Sequence, residues 1–369
     1  MKVCIVSHFE RGEIGGGFIS IKTLASALEK IGYEITFAYH PKQISKSDVV
    51  LHTNIRYLVE TQKICEREKL PLVVVVNSFI SCCNGSHITC KDIKYGTTCE
   101  KCSLIGAFNC SLLNLRNKYI SPKKRFSEFF TFLPRYIIRL KRIRSLNRVK
   151  KIVCISPTDK NMLKIAGINE EKIVIIPQPV DPSFLIPPED LLFNDKVCLF
   201  PGGGWVKGFH LAAEAVSKIE NVKLAYAGVL RAKNKKIVMN FLGKKVIFLG
   251  KIPPKLMKNY YYSAHVVLFP SIWFEAFGRA WAEACMCGKP VVAFKGRGGA
   301  SDYLKHEETA LLSDYDVDEY AEQIKRLFED EALYRKISRN AREYAKKNFS
   351  ADIVAKKYEK VFKEVLEGK

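Results

Sequence analysis

Residues 271–301 read SIWFEAFGRAWAEACMCGKPVVAFKGRGGAS, and their punctuation decides the fold. The apolar run Val266–Pro270 just before them has the length and composition of a buried strand. Glu275 falls in the loop that follows. Phe277 and Gly278 open a helix that runs to about Cys287, Gly288 stops it, and Pro290–Phe294 is the next strand. Strand, loop, helix and strand form the repeating unit of a parallel sheet covered by helices. The alternation extends outward. Val197–Pro201, Lys223–Ala227 and Val246–Leu249 belong to the same half. Lys2–Ser7, Glu34–Tyr39, Asp48–His52, Leu72–Val76, Ile152–Ser156 and Lys172–Ile176 form an earlier set. The class is therefore α/β, with two doubly wound halves.

At 369 residues the chain is long enough for two domains with separate cores. Pro177, Pro179, Pro182, Pro187 and Pro188 mark the linker between them. Hydrophobic residues are 47% and charged residues 27%, which excludes a disordered or coiled-coil chain. No apolar run reaches the ~18 residues of a transmembrane helix. The opening MKVCIVSHFERGE meets Glu10 and Glu13 too early for a secretory signal, so a cytoplasmic location is expected.

Ligands of such sheets bind at the carboxyl ends of the strands. The helix opening at Gly278 offers backbone N–H groups and partial positive charge, which suits a phosphate. Glu275 and Glu283 stand eight residues apart on either side of that position. Carboxylates accept hydrogen bonds from hydroxyls, so this spacing suits a sugar nucleotide, with one Glu on the sugar and one on the ribose. Upstream, PGGGWVKG (201–208) links a strand to a helix, and its Lys207 can meet a diphosphate.

These segments resemble the retaining nucleotide-sugar glycosyltransferases of family 4. EAFGRAWAE is similar to that family's Glu-x7-Glu motif, and WVKG to its Lys-Gly loop. The run from Ser271 through HEETALLSDYD resembles its donor-binding half. IIPQPVD is similar to its linker, with Gln178 where Asn is usual, and GEIGGGFISIKTLASALEKIGYEIT to its N-terminal glycine loop and helix. The resemblance implies a GT-B fold, with two Rossmann-like domains facing a central cleft. It implies an acceptor domain over 1–180, a donor domain over 181–349, and a C-terminal helix over 350–369 that crosses back to the first domain. It also implies sugar transfer from a nucleotide-diphosphate sugar to an acceptor hydroxyl with retention, and no metal for catalysis. Carried over, Lys207 neutralises the diphosphate and Glu275 contacts the sugar. Ala276, Phe277, Gly278 and Arg279 line the donor, Glu283 holds the ribose, and Gly16 and Gly17 close on the phosphates. The family's Arg before Lys207 is replaced by Gly202-Gly203-Gly204, with Arg231, Arg279 and Arg297 as candidate substitutes. The usual histidine after Leu72–Val76 is replaced by Asn77-Ser78, which leaves His52 as the nearest candidate for catalysis.

Two features lie outside this motif set. Six of the twelve cysteines crowd between residues 82 and 110. Cys99 and Cys102 have zinc-ligand spacing, and Cys82 or Cys83 with Cys90 would complete a structural zinc site. Reduced thiols or a disulfide are the alternatives. Residues 118–151 carry twelve basic residues against the single acid Glu128, half of the net charge of +22. Phe126, Phe129, Phe130, Phe132, Tyr136, Ile137 and Ile138 interleave with them. Basic and aromatic residues on an interrupted helix predict docking at an anionic membrane surface, which suits a glycan or lipid-linked acceptor. A buried helix pair with a solvated basic face is the alternative. A nucleic-acid partner is not expected, because no recognition motif accompanies the charge. A sugar-nucleotide epimerase or phosphorylase on the same fold is the rival enzyme class.

Overall fold

The computed structural model describes residues 1–8, 15–77, 80, 102–115 and 122–368. It divides into two compact units, Met1–Gln178 with Asp352–Lys369, and Pro179–Ala351.

The first unit is built on six parallel strands: β1 (Lys2–Val6), β2 (Glu34–Ala38), β3 (Val49–Thr53), β4 (Leu72–Val76), β5 (Lys151–Cys154) and β6 (Ile173–Ile175). Their order is β2-β1-β3-β4-β5-β6. β3 and β4 are buried at every position, as expected of strands covered on both faces. Helices Leu58–Arg67 and Phe132–Arg148 supply Leu58, Cys65 and Leu146 to the core beside Val50, Val74 and Ile152. The C-terminal helix Ala351–Leu366 packs on this unit through a Tyr33–Phe362 ring contact and a Lys151–Glu364 ion pair of 2.9 Å.

The second unit repeats the plan with β7 (Val197–Pro201), β8 (Lys223–Ala227), β9 (Val246–Gly250), β10 (Val266–Phe269), β11 (Val291–Phe294) and β12 (Leu311–Ser313). Their order is β12-β11-β10-β7-β8-β9, all parallel. Tyr320 ties the middle of this sheet together: its buried hydroxyl accepts from the Phe269 amide and donates to the Val292 carbonyl.

In each sheet the direction of travel reverses at one strand pair, β1 with β3 and β7 with β10. At such a reversal the loops after the two strands diverge to opposite faces and leave a crevice, which is where these sheets bind ligands. In the second unit those two loops carry Lys207 and Glu275.

The basic segment forms two helices, Pro122–Phe130 and Phe132–Arg148, broken at Thr131. Several of its apolar residues are not packed away: Phe126, Phe130, Leu133, Ile137 and Ile138 are exposed, as are Leu104, Ile105, Phe108 and Leu112 of the neighbouring helix Leu104–Leu115. Arg139 does not belong to a solvated basic face. It is buried, and its Nε donates to the Ile80 carbonyl at 3.0 Å. Among the described residues no helix is long and apolar enough to cross a membrane.

Candidate functional site

The loop after β7 turns through a short 3₁₀ segment, Trp205–Lys207, and enters the helix Phe209–Ser217 at Gly208. Gly208 has φ +79, and a Cβ there would overlap the Pro270 carbonyl at the end of β10. Only glycine brings the two loops this close. The loop after β10 answers with two backbone bonds: the Ile272 and Trp273 amides both donate to the Val206 carbonyl at 3.0 Å. Lys207 is thereby set against Glu275, with which it forms an ion pair. Ser271 Oγ donates to the same Glu275 oxygen at 3.1 Å.

Glu275 is itself clamped by the glycine loop after β11. Its amide donates to the Arg297 carbonyl at 3.2 Å, and its carbonyl accepts from the Gly299 amide at 2.8 Å. A Cβ at Gly298 would collide with the Glu275 carbonyl, so this clamp also depends on glycine. Arg297 stacks over the Tyr315 ring at 4.5 Å.

The motif helix spans Arg279–Met286 with Gly278 as its N-cap, so its first amides, without intrahelical partners, stand beside the Glu275 loop. Trp281 anchors it from below, donating to the Phe277 carbonyl at 2.6 Å and packing against Phe277, Tyr303 and Phe349. Glu283, one turn further on, is buried and holds three protein donors. Arg279 donates to Oε1 from Nε at 3.1 Å and from Nη2 at 2.7 Å, and the Tyr261 hydroxyl donates to Oε2 at 3.0 Å. Arg279 Nη1 donates to the Pro179 carbonyl at 3.0 Å.

The structure thus brings Lys207 and Glu275 together, with Ala276, Phe277, Gly278 and Arg279 following in the same loop and helix start. Glu283 forms a separate cluster with Arg279 and Tyr261. Sequence reading missed Tyr261 and Ser271. Tyr261 stands in a run of three tyrosines before β10; two of them are buried, and only the helical turn there decides that Tyr261 reaches Glu283 while Tyr262 donates to the Phe184 carbonyl. Beneath the Lys207 loop, His210 stacks on Trp205 with centroids 3.6 Å apart, and burial holds its imidazole at about 4.

The first unit holds the other candidates. Gly16 and Gly17 begin the helix Gly16–Lys30, with Gly15 as its N-cap. His52 lies near the carboxyl end of β3, almost wholly buried, and among the described residues neither ring nitrogen meets a partner at full hydrogen-bond geometry. Burial, reinforced by nearby His8, lowers its pKa to about 4, so the ring is neutral at physiological pH. Of the cysteine candidates, Cys82, Cys83, Cys90 and Cys99 lie outside the described residues. Cys102 is buried, its thiol directed at the Ser103 carbonyl at 3.7 Å. Among the described residues no group of three or more His, Cys, Asp or Glu could hold a metal ion.

Residues 194–344 match the family described as glycosyl transferases group 1. A glycosyltransferase of Methanocaldococcus jannaschii is 31% identical over 182 residues, 47% of this chain and 46% of that protein. The N-acetyl-alpha-D-glucosaminyl L-malate synthase of Bacillus anthracis is 24% identical over 275 residues, covering 74% of this chain and 62% of that one. The chain spans 31% of the length of the similar glycosyltransferase YtcC of Bacillus subtilis, at 33% identity; like the archaeal relative, it is matched over less than half its length. Among solved structures, sucrose-phosphate synthase of Thermosynechococcus elongatus superposes with a TM-score of 0.74 at 17% identity, covering 100% of this chain and 99% of that one. HepE of Anabaena in complex with UDP gives 0.73 at 17% identity, over 99% and 100% of the two chains. Both superpositions extend over the two sheets and place them in the GT-B fold, and residues 194–344 are the part of the chain that matches the group 1 glycosyl transferases.

Proposed function

We propose that this chain is a retaining glycosyltransferase that moves a sugar from a nucleoside-diphosphate sugar to an acceptor hydroxyl, in the synthesis of a surface glycan, lipid-linked oligosaccharide or glycolipid. The observation that carries the reading is the convergence of Lys207, Glu275 and the helix start at Gly278 on the reversal point of the second sheet. A cation and a helix N-terminus, set beside a carboxylate that can accept from sugar hydroxyls, match a diphosphate joined to a sugar. Solved complexes of HepE with UDP and with UDP-glucose share the fold and support a donor of this class.

In this reading Lys207 and the first amides of the helix stabilise the negative charge that grows on the departing diphosphate. Glu275 holds the sugar and Glu283 the ribose. The acceptor oxygen forms its bond to the anomeric carbon on the face from which the phosphate oxygen leaves, so configuration is retained. The acceptor's proton passes to that phosphate oxygen. The site works by orientation and charge stabilisation, and His52 offers a neutral ring at the first sheet's reversal point. The exposed apolar and basic residues of the helices Leu104–Leu115, Pro122–Phe130 and Phe132–Arg148 support a peripheral position on an anionic cytoplasmic membrane face, the surface that would carry a lipid-linked acceptor.

A thermal-shift screen of the full chain against nucleoside-diphosphate sugars tests the assignment. One or two donors are expected to raise the melting temperature, and Glu283→Ala to abolish that shift. A wild-type protein that responds to none of them overturns the reading. NMR of the product's anomeric signal decides retention against inversion.

A further inference from the structure

Glu283 has a hydrogen-bonding pattern that limits what else it can bind. An ionised carboxylate has about four acceptor positions, two on each oxygen. Arg279 occupies Oε1 with two donors, Nε and Nη2, in a planar fork. Tyr261 occupies one position on Oε2. A single position remains, on the oxygen that Tyr261 holds.

The two holders are themselves fixed. Tyr261 is 1% exposed and rests against Phe184 with ring centroids 6.1 Å apart. Burial first, and the Glu283 charge second, raise its phenol well above the ordinary value, so it remains a donor throughout the working pH range. Arg279 is pinned on its far side by the Pro179 carbonyl. Neither partner can turn away without leaving a buried polar group unsatisfied, which is costly.

We propose that Tyr261 is a positioning residue for nucleotide recognition: together with the Arg279 fork it fixes the Glu283 carboxylate so that Oε2 accepts a single ribose hydroxyl. The inference rests on the donor reading above. It makes discrimination against a deoxyribonucleotide depend on a residue that never touches the ligand.

The test is calorimetric titration of the full chain with UDP, ADP and GDP, followed by the 2′-deoxy and 3′-deoxy forms of whichever binds. Wild type is expected to prefer the ribonucleotide over one deoxy form by about tenfold or more, the range of a hydrogen bond to a charged group. Tyr261→Phe keeps the ring. It is expected to weaken the ribonucleotide about tenfold, to bring the ribo-to-deoxy ratio within about threefold, and to raise the donor KM with little change in kcat. Arg279→Lys, which keeps the charge and loses the fork, carries the same test through the other holder. A ratio unchanged in both variants overturns the proposal. So does an equal loss for ribo and deoxy forms, which is what a purely structural role gives. Wild type that binds none of the three nucleotides overturns the donor reading itself, a distinguishable outcome.

Discussion

The two sheets reverse direction in the same way, yet their reversal points are finished with different chemistry. At β1 and β3 the prominent groups are a helix beginning at Gly16 and a buried, neutral His52. At β7 and β10 they are an ion pair, a buried Arg–Glu fork and three loops stitched to one another through backbone bonds. The glycines differ as well. At Gly15 φ is −127 and among the described residues nothing lies within 4 Å of where a Cβ would stand, whereas Gly208 has φ +79 and no room. Topology supplies a crevice in both units. The charge and the steric closure come from the loops, and only the second unit's described loops are built to hold a charged ligand rigidly.

The sharpest way to break this comparison is to place one methyl group in each unit. Gly208→Ala forces the Lys207 loop away from Pro270 and pulls Lys207 off the Glu275 loop. Transfer activity is expected to fall by about two orders of magnitude or more, in line with the loss of a preorganised charge-stabilising group. Gly15→Ala adds a methyl in open space at an unstrained φ and is expected to change activity by about threefold at most. Steady-state kinetics on both variants, with melting curves to confirm folding, decide it. Comparable losses would show that the first unit's glycine loop is as constrained as the second's.

How much of this was legible in the sequence depends on the range of the interaction. β4 reads correctly because LVVVV is buried on both faces and nothing interrupts it. β12 escapes notice because three residues inside HEETALLSDYD show no period, and only pairing with β11 makes them a strand. The Glu-x7-Glu spacing pointed to the right helix, and Gly278 to its start. What each carboxylate touches was not legible. Lys207 and Glu275 are 68 positions apart, and the sequence could suggest both without joining them. Arg279 reads from the sequence as lining the donor and as a candidate for the family's missing arginine, and nothing there joins it to Glu283, whose main partner it is. Arg139 is one of twelve basic residues in its stretch, and sequence alone cannot tell which turn of a basic helix faces the core.

A second, smaller contrast concerns protons. His52 in the first unit and His210 in the second are both held at about 4, mainly by burial, against about 6.5 for a free imidazole. Between those values the unfolded chain takes up a proton that the folded ring refuses. Stability is therefore full above about pH 6.5 and falls as the pH drops toward 4, by up to about 3 kcal/mol for the almost wholly buried His52 and by less for the partly exposed His210. His52→Gln is expected to flatten this acid sensitivity for the first unit and leave the second unit's unchanged. Urea titrations at pH 7 and pH 4.5, read by hydrogen exchange in each unit, measure it. An unchanged acid slope in the first unit means that His52 is not the group responsible.

The least dramatic expected effect tests the surface rather than the sites. Phe126 and Phe130 are 59% and 73% exposed on a helix that also carries Lys123 and Arg125. Exposed apolar patches on a soluble surface mark interaction sites, and basic residues beside them favour an anionic partner. Phe126→Ser with Phe130→Ser removes apolar area that contributes nothing to either core, so the melting temperature is expected to stay within about 2 °C. Recovery on vesicles containing one-third anionic lipid is expected to fall several-fold, while donor binding in solution is unchanged. High salt should weaken wild-type binding further, because screening acts on the basic residues and not on the aromatic ones. Equal recovery of wild type and variant on these vesicles rules out a membrane and leaves a protein partner as the cover for this face.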